Sequence, residues 1–361
     1  MNITNKSWLE KEATVFARLV SKAKNIAIAA HVNPDGDAVG STIGMYEYLT
    51  AIGKNAEIFF PTSYPQTLQF AVTQKEDQHI HIFKENPDQC ADNINSADLL
   101  ICLDFNTFAR TDSMEDTLRE AKLPKILIDH HVNPEVEAFD LCISTTEISS
   151  ASELAYYLIK TLIDKNILSS DDSHIKTSDL NQLWGKDMGR ALMTGMTTDT
   201  NNFSNSTFPS TMQMASELLE AGVDRDKIIS NISFSYRTNR LRAMGYILDR
   251  KLVIKDNGIA YMILTKDELA KFQLNEGETE GFVNLPLAAK DVKLSIFLKE
   301  DEGKYRFSAR SKEGVSAREF ASKYFFGGGH EKAAGGKLPF SIARTEEEAI
   351  AYIEKCSEEF L

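Results

Sequence analysis

Cysteine is scarce in this sequence: Cys90, Cys102, Cys142 and Cys356 lie far apart, and no two of them form a CxxC pair. That excludes a disulfide framework and a thiolate zinc site, and it suits a reducing compartment. No apolar run approaches the roughly 18–20 residues that span a bilayer. The opening stretch MNITNKSWLEKEA lacks the apolar core of a secretory signal. The expectation is a cytoplasmic protein with no membrane partner. Positive charge is in deficit too. With 40 Lys and Arg against 53 Asp and Glu, the formal net charge is -13, which argues against a wide basic surface for long nucleic acid. Short anionic substrates stay admissible, because bound divalent cations and a few placed arginines reverse the field of an acidic protein locally. The glycines around Gly185–Arg190 make no Walker pattern, so no nucleotide P-loop is expected.

What is present is a soluble globular composition, 42% hydrophobic and 26% charged, on 361 residues, a length that favours two domains. The first two-thirds alternate short β-branched runs with helical stretches, which is the pattern of a parallel α/β sheet. Strands are expected at residues 25–31, 56–60, 98–103 and 125–128, and helices at 37–52, 151–163, 190–198 and 211–221. Ser150-x-x-Glu153 has the spacing of a capping box ahead of the second of these helices. From 258 onward, GIAYMILT, DVKLSIFLKE and KYRFSARS read as strands, and residues 317–324 read as a helix before the cluster FFGGGHEKAAGG. The expected class is α/β: an N-terminal parallel-sheet domain (1–225), a helical linker (226–251) and a smaller α+β C-terminal domain (252–361). The linker arginines Arg237, Arg240, Arg242 and Arg250 read as a solvated helix face.

Ionisable side chains collect at strand ends. His31-x-x-x-Asp35-x-Asp37 follows the first strand, with Pro34 and Gly36 shaping the turn and Asp37 opening a helix. Asp104 closes the apolar run DLLICLD, and Asp129-His130-His131 follows KILI. Asp199 ends a helix in GMTTDTNNF. Each has a bland alternative: a polar turn, a helix cap, a solvated strand end. Together they form a mixed nitrogen and oxygen ligand set for two divalent ions, for which Mn²⁺ is well suited. Mg²⁺ prefers oxygen and water. HVNP occurs at His31 and again at His131 without a surrounding repeat, which points to two strand ends needing similar turns. His79-x-His81 could pair on one side of a strand, but with no acid placed beside it by motif it reads as exposed polar surface.

In this order, HVNPDGD, LDF, DHH and TTDT resemble the motifs of the DHH phosphoesterase family, and GGGHEKAAGG resembles its DHH-associated C-terminal domain. That family includes RecJ exonucleases, cyclic-dinucleotide phosphodiesterases, family II pyrophosphatases and the nanoRNase/pAp-phosphatase (NrnA-like) group, which this chain resembles in size. The resemblance implies one metal on His31, Asp35 and Asp104, and a second on Asp37, Asp104, His130 and Asp199. It implies that His131 faces the scissile phosphate while Asp129 orients the cluster, in a cleft between the domains. Gly327, Gly328, Gly329 and His330 become a nucleotide-binding loop, and Arg310 a phosphate clamp whose planar fork suits that group. The implied cofactors are two divalent ions, Mn²⁺ first, with Mg²⁺ or Co²⁺ as alternatives. The implied substrates are short single-stranded RNA or DNA oligomers, 3′-phosphoadenosine 5′-phosphate (pAp) or dinucleotides. Polyphosphate or pyrophosphate hydrolysis and a non-catalytic nucleotide sensor are the rivals, and the oligomeric state stays open, a homodimer included. Asn201 stands where relatives often carry glycine, a backbone that asparagine tolerates.

Overall fold

Near-continuous runs of Ile, Leu, Val and Ala form strands when both faces of a sheet are covered. The computed structural model describes residues 7–167, 181–234 and 236–360, with the backbone alone at Ser7 and His330. The chain divides into two compact units, Met1–Ser235 and Tyr236–Leu361. The expected linker therefore contributes a helix to each: α7 (Arg225–Phe234) to the first and α8 (Thr238–Tyr246) to the second.

In the first unit, strands β1 (Asn25–Ala29), β2 (Asn55–Phe60), β3 (Ile80–Ile82), β4 (Leu99–Leu103), β5 (Lys125–Asp129) and β6 (Leu141–Ser144) form one parallel sheet of order β3-β2-β1-β4-β5-β6. The register is tight: Ile26 lies beside Ala56 on one side and Leu99 on the other. Side chains alternate between faces. Ile26, Ile28, Ile58, Ile101 and Ile128 pack with helices α1 (Ser7–Lys22), α2 (Gly36–Ala51), α4 (Ala151–Asp164) and α5 (Asp187–Asp199). Ala27, Phe59, Leu100, Cys102 and Leu127 pack on the other side with Cys90 and Ile94 of α3 (Pro87–Asn95). Chain order reverses between β1 and β4. In open α/β sheets, the crevice at the carboxyl ends of the strands flanking such a reversal is where ligands bind.

The second unit is a mixed sheet of order β11-β12-β10-β9-β8-β7, built from β7 (Val253–Ile254), β8 (Ile259–Leu264), β9 (Leu294–Asp301), β10 (Lys304–Ser311), β11 (Gly328–His330) and β12 (Ala333–Pro339). Only β8 and β9 pair in parallel. Phe307 stacks on Phe320 of α9 (Ala317–Tyr324) and on Phe325, and Ile353 of α10 (Glu346–Phe360) joins the same core. On the opposite face, Met262, Leu264 and Phe297 are covered by Ala243 of α8 and by Phe282. The linker arginines are not a uniformly solvated face. Arg240 is buried, its guanidinium 3.7 Å from the Tyr236 ring centre and bonded to the Glu280 carbonyl at 2.6 Å, and Arg237 pairs with Glu278 at 2.8 Å. Aromatic and carbonyl partners, unseen in the sequence, draw Arg240 inward, whereas Arg237, Arg242 and Arg250 stay exposed. No helix among the described residues is long and apolar enough to cross a membrane.

Candidate metal centre

The strands at the topological reversal end in ionisable groups. His31 follows β1 and is buried, and Asp104 follows β4 directly with φ +62, also buried. A non-glycine residue in that left-handed region is uncommon and concentrates at functional sites. Asp129 is the last residue of β5, so His130 and His131 leave the next strand over. The two HVNP turns share a geometry, with φ +53 at Asn33 and +55 at Asn133.

Two helix termini complete the set. Asp35 caps α2, its Oδ1 accepting the N–H groups of Asp37 and Ala38 at 3.0 and 3.1 Å. Asp37 is buried in the first turn and accepts the N–H groups of Ala151 and Ser152 at 2.6 and 2.9 Å. The N-terminus of α4 thus points its partial positive charge at this carboxylate. Ser150 caps α4 by accepting from the Glu153 N–H at 3.0 Å, while the Glu153 carboxylate accepts from the Ser149 N–H at 3.0 Å and the Thr211 hydroxyl at 2.7 Å. Asp199 closes α5.

These residues meet. His31 Nε2 lies 3.4 Å from Asp104 Oδ2 and 3.8 Å from Asp35 Oδ1. His130 Nε2 lies 3.4 Å from Asp104 Oδ1, 3.7 Å from Asp199 Oδ2 and 3.8 Å from Asp37 Oδ2. Asp104 presents one oxygen to each histidine. Among the described residues, three sets have ligand atoms within 4.8 Å of one another: His31, Asp35 and Asp104; Asp37, His130 and Asp199; Asp104, His130 and His131. His131 Nδ1 donates to Asp129 Oδ1 at 2.7 Å, and its backbone N–H donates to Asp129 Oδ2 at 3.0 Å, so Asp129 fixes both ring and backbone.

The protonation pattern shows what the cluster needs. Burial alone would lower the His31 and His130 pKa values, but the facing carboxylates, Asp104 foremost, override it and push both up to about 10. Asp199 is pushed up to about 7 by burial, reinforced by Asp104 and Asp35 against the pull of His130. Asp37 rises by burial and by the charges of Asp104 and Asp199. Burial would raise Asp104 as well, yet its contacts with His130 and His31 hold it far below the usual carboxylate range. Both signs of shift express one demand for cationic charge among crowded carboxylates. His31 shows it most sharply. Its Nδ1 sits 2.9 Å from the Val32 carbonyl, which can only accept, so Nδ1 carries the proton. In the ion-free protein a second proton on Nε2 meets that demand, buried and facing the Asp104 and Asp35 carboxylates at 3.4 and 3.8 Å without closing a hydrogen bond to either, and a metal ion would displace it. The neutral-imidazole and carboxylate donor set that then remains fits a divalent cation.

The C-terminal candidates lie in the second unit. Arg310 in β10 is half-buried and donates to the Ala309 carbonyl at 2.9 Å; no carboxylate pairs with it among the described residues. Gly328, Gly329 and His330 form edge strand β11 rather than an open loop. A Cβ at Gly327 would fall 2.0 Å from the Gly335 carbonyl oxygen, whereas one at Gly328 would meet nothing within 4 Å. Asn201 takes φ +45. His79 and His81 are half-buried, not simply exposed: Glu57 on the neighbouring strand accepts from them at 3.0 and 2.8 Å. A neighbouring-strand acid carries no motif, so the sequence concealed it. The N–H groups of Ala151 and Ser152 went unseen as Asp37 partners for the same reason, although the capping box at Ser150 marks the helix end that supplies them.

Known proteins resemble the chain along most of its length. Residues 25–196 match the DHH family N-terminal domain, and residues 256–359 match the DHHA1 domain. The chain is 29% identical over 343 residues to a bifunctional oligoribonuclease and PAP phosphatase NrnA of Thermus thermophilus, covering 93% of this chain and 91% of that protein. It is 30% identical to a probable NrnA of Streptococcus mutans, covering 92% and 96%. A crystal structure of an exopolyphosphatase-related protein from Bacteroides fragilis superposes with a TM-score of 0.85 at 35% identity, covering 97% of this chain and 96% of that one. Both domain matches stand in the family's order, and the relatives align along nearly their whole lengths: the chain belongs to the DHH family, hydrolases that act on phosphoester bonds.

Proposed function

We propose that this chain hydrolyses short oligoribonucleotides from an end and removes the 3′ phosphate of pAp, using two divalent cations, Mn²⁺ foremost. The observation that carries the reading is His31 Nε2, buried without a hydrogen-bond partner and set between Asp104 and Asp35. His31, Asp35 and Asp104 would hold one ion, and Asp37, Asp104, His130 and Asp199 the other. Bound there, divalent ions supply an activated water and offset charge on the phosphoryl oxygens. The substrate class is supported by the names of the Thermus and Streptococcus relatives, each aligned over more than nine-tenths of its length.

The chain's own groups account for the rest. Asp129 holds the His131 proton on Nδ1, which leaves Nε2 as the atom that gives or takes a proton, and a histidine there can protonate a departing alkoxide. The α4 N-terminus keeps both Asp37 oxygens aimed by two backbone donors. Arg310, with no carboxylate of its own, would hold a substrate phosphate, and the glycines of β11 would let that phosphate approach the backbone.

The test is a panel of short RNAs, pAp, the dinucleotide pApA, pyrophosphate and polyphosphate, incubated with Mn²⁺ and read by chromatography. Release of mononucleotides from the RNAs and of phosphate from pAp is expected. Preferential turnover of polyphosphate would instead favour the activity named for the Bacteroides relative. Asp104→Ala, which removes the carboxylate shared by both sets, is expected to abolish turnover at every Mn²⁺ concentration. Full activity in that variant would refute the two-cation reading.

A further inference from the structure

Phe326 is the residue whose placement the hydrolytic site does not explain. Its φ is +47, in the left-handed region where a bulky side chain is a genuine outlier, and 64% of it is exposed. Its neighbours hold it there. The Phe325 ring is fully buried, stacked on Phe307 with ring centres 4.0 Å apart, and its carbonyl accepts the Lys337 N–H at 2.7 Å. The Gly327 N–H donates to the Ala321 carbonyl at 3.2 Å. A glycine at 326 would take this backbone without penalty. The chain instead spends a strained position on an aromatic ring that contacts no other ring among the described residues.

The adjoining surface tells what such a ring can serve. Across three paired strands, Arg310 lies opposite Ala333, and Ala333 opposite His330; Ser308 lies opposite Gly335, and Gly335 opposite Gly328. Residues paired in register share a face. Besides Arg310 and His330, the positions on that face are therefore glycine, alanine and serine, with an exposed Gly328 whose absent Cβ leaves open space, and the guanidinium has no carboxylate partner among the described residues. The face is a smooth strip with an anion anchor. Gly328 is two residues from Phe326, so its Cα lies within about 7 Å of it.

We infer that Phe326 is a stacking platform for a nucleobase of the substrate, whose phosphate lies on the side-chain-poor strip toward Arg310. The inference rests on the reading that this protein acts on nucleotides, and it adds the residue that grips the base. Stacking on an aromatic face is tolerant of base identity, which suits an enzyme that degrades short oligomers of any sequence.

The test separates the two ideas. A 5′-phosphorylated dinucleotide carrying 2-aminopurine is titrated into the full chain in EDTA, where no turnover occurs, and the same dinucleotide is assayed for hydrolysis with Mn²⁺. In the wild-type chain the fluorescence should fall on binding, as a stacked 2-aminopurine is quenched. Phe326→Gly should bind about tenfold more weakly and lose the quenching, while melting at the same or a higher temperature because the strain is gone. Phe326→Trp should restore both signals. Unchanged affinity and quenching in Phe326→Gly, with the wild-type chain hydrolysing the dinucleotide, overturns the platform and leaves the enzyme reading intact. A wild-type chain that neither binds nor cleaves the dinucleotide overturns both. A Phe326→Gly effect on self-association alone, read by sedimentation, assigns the ring to contact with a second copy and overturns the proposal.

Discussion

At His31 a protonated Nδ1 and a buried, unpartnered Nε2 turn one side chain into a statement about its missing charge. The same demand makes the ion-free protein sensitive to pH, with a sign that can be worked out. Asp199 titrates near 7 in the fold against an ordinary value of 3.8, so its contribution to stability is complete below that ordinary value and is lost as pH rises through about 7. His31 and His130, raised from 6.5 to about 10, lose theirs as pH climbs through about 10. The expected outcome in EDTA is a melting temperature that falls steadily from mildly acidic to alkaline pH. Added Mn²⁺ competes with those same protons, so its stabilising shift should grow over the same interval. Calorimetric scans with and without Mn²⁺ measure both, and a Mn²⁺ shift that shrinks as pH rises would contradict the ligand assignment. His131 makes a narrower prediction. Asp129→Asn keeps the shape but removes the charge that holds the Nδ1 proton, and a partner of this kind is worth about 10–100-fold in activity. The loss should appear in kcat on pAp, with little change in KM.

Helices α2 and α5 set the spacing that the side chains then use. Asp35 and Asp37 stand at the start of α2, Asp199 at the end of α5, and the two helices touch backbone to backbone: a Cβ at Gly40 would lie 2.5 Å from the Ala191 carbonyl oxygen and 2.8 Å from Gly195 Cα. Gly40→Ala should gain about 1 kcal/mol of helix propensity yet lose about 1–3 kcal/mol to overpacking. Because neither contact is with a flexible side chain, the net change is expected to be destabilising, and the helices must part. Isothermal titration should show weaker Mn²⁺ binding in this variant, an effect a purely structural glycine remote from the ligands would not have. What was legible in the sequence follows the same division. Strands β1, β4 and β5 announce themselves because burial on both faces demands unbroken apolar runs, and each is closed or followed within two residues by an acid or histidine that a core would reject. All six expected ligands therefore came from reading strand and helix ends. Strands β3 and β6 did not announce themselves: they are short edges of the sheet, three and four residues long, with β3 half-buried throughout and only Leu141 and Ile143 of β6 buried. The helix approach at Gly40 and the backbone donors to Asp37 were illegible for a different reason, since close packing and peptide N–H groups leave no residue-type signature.

Taken whole, the molecule is acidic, with a formal charge of -13, yet the substrates proposed for it are polyanions. Cationic groups are rationed. Many are already neutralised by a carboxylate, as Arg306 is by Asp301 at 2.7 Å and Arg119 by Glu115 at 2.9 Å, whereas Arg310 is not. Such a surface can accept one or two phosphates at a prepared spot and repels the remainder of a long chain. Length discrimination then follows from charge as well as from the shape of any cleft. For single strands, the logarithm of the binding constant falls with the logarithm of salt by about 0.7 per phosphate neutralised. A 5′-phosphorylated dinucleotide should therefore give a slope of about -0.7 to -1.4, and a twenty-residue RNA should give the same slope and bind no tighter per end. Fluorescence titrations of both ligands across a salt series, in EDTA to prevent cleavage, measure this directly. A slope that steepens with every added nucleotide would mean that a continuous basic track exists, and the exclusion of long nucleic acid argued from net charge would fall.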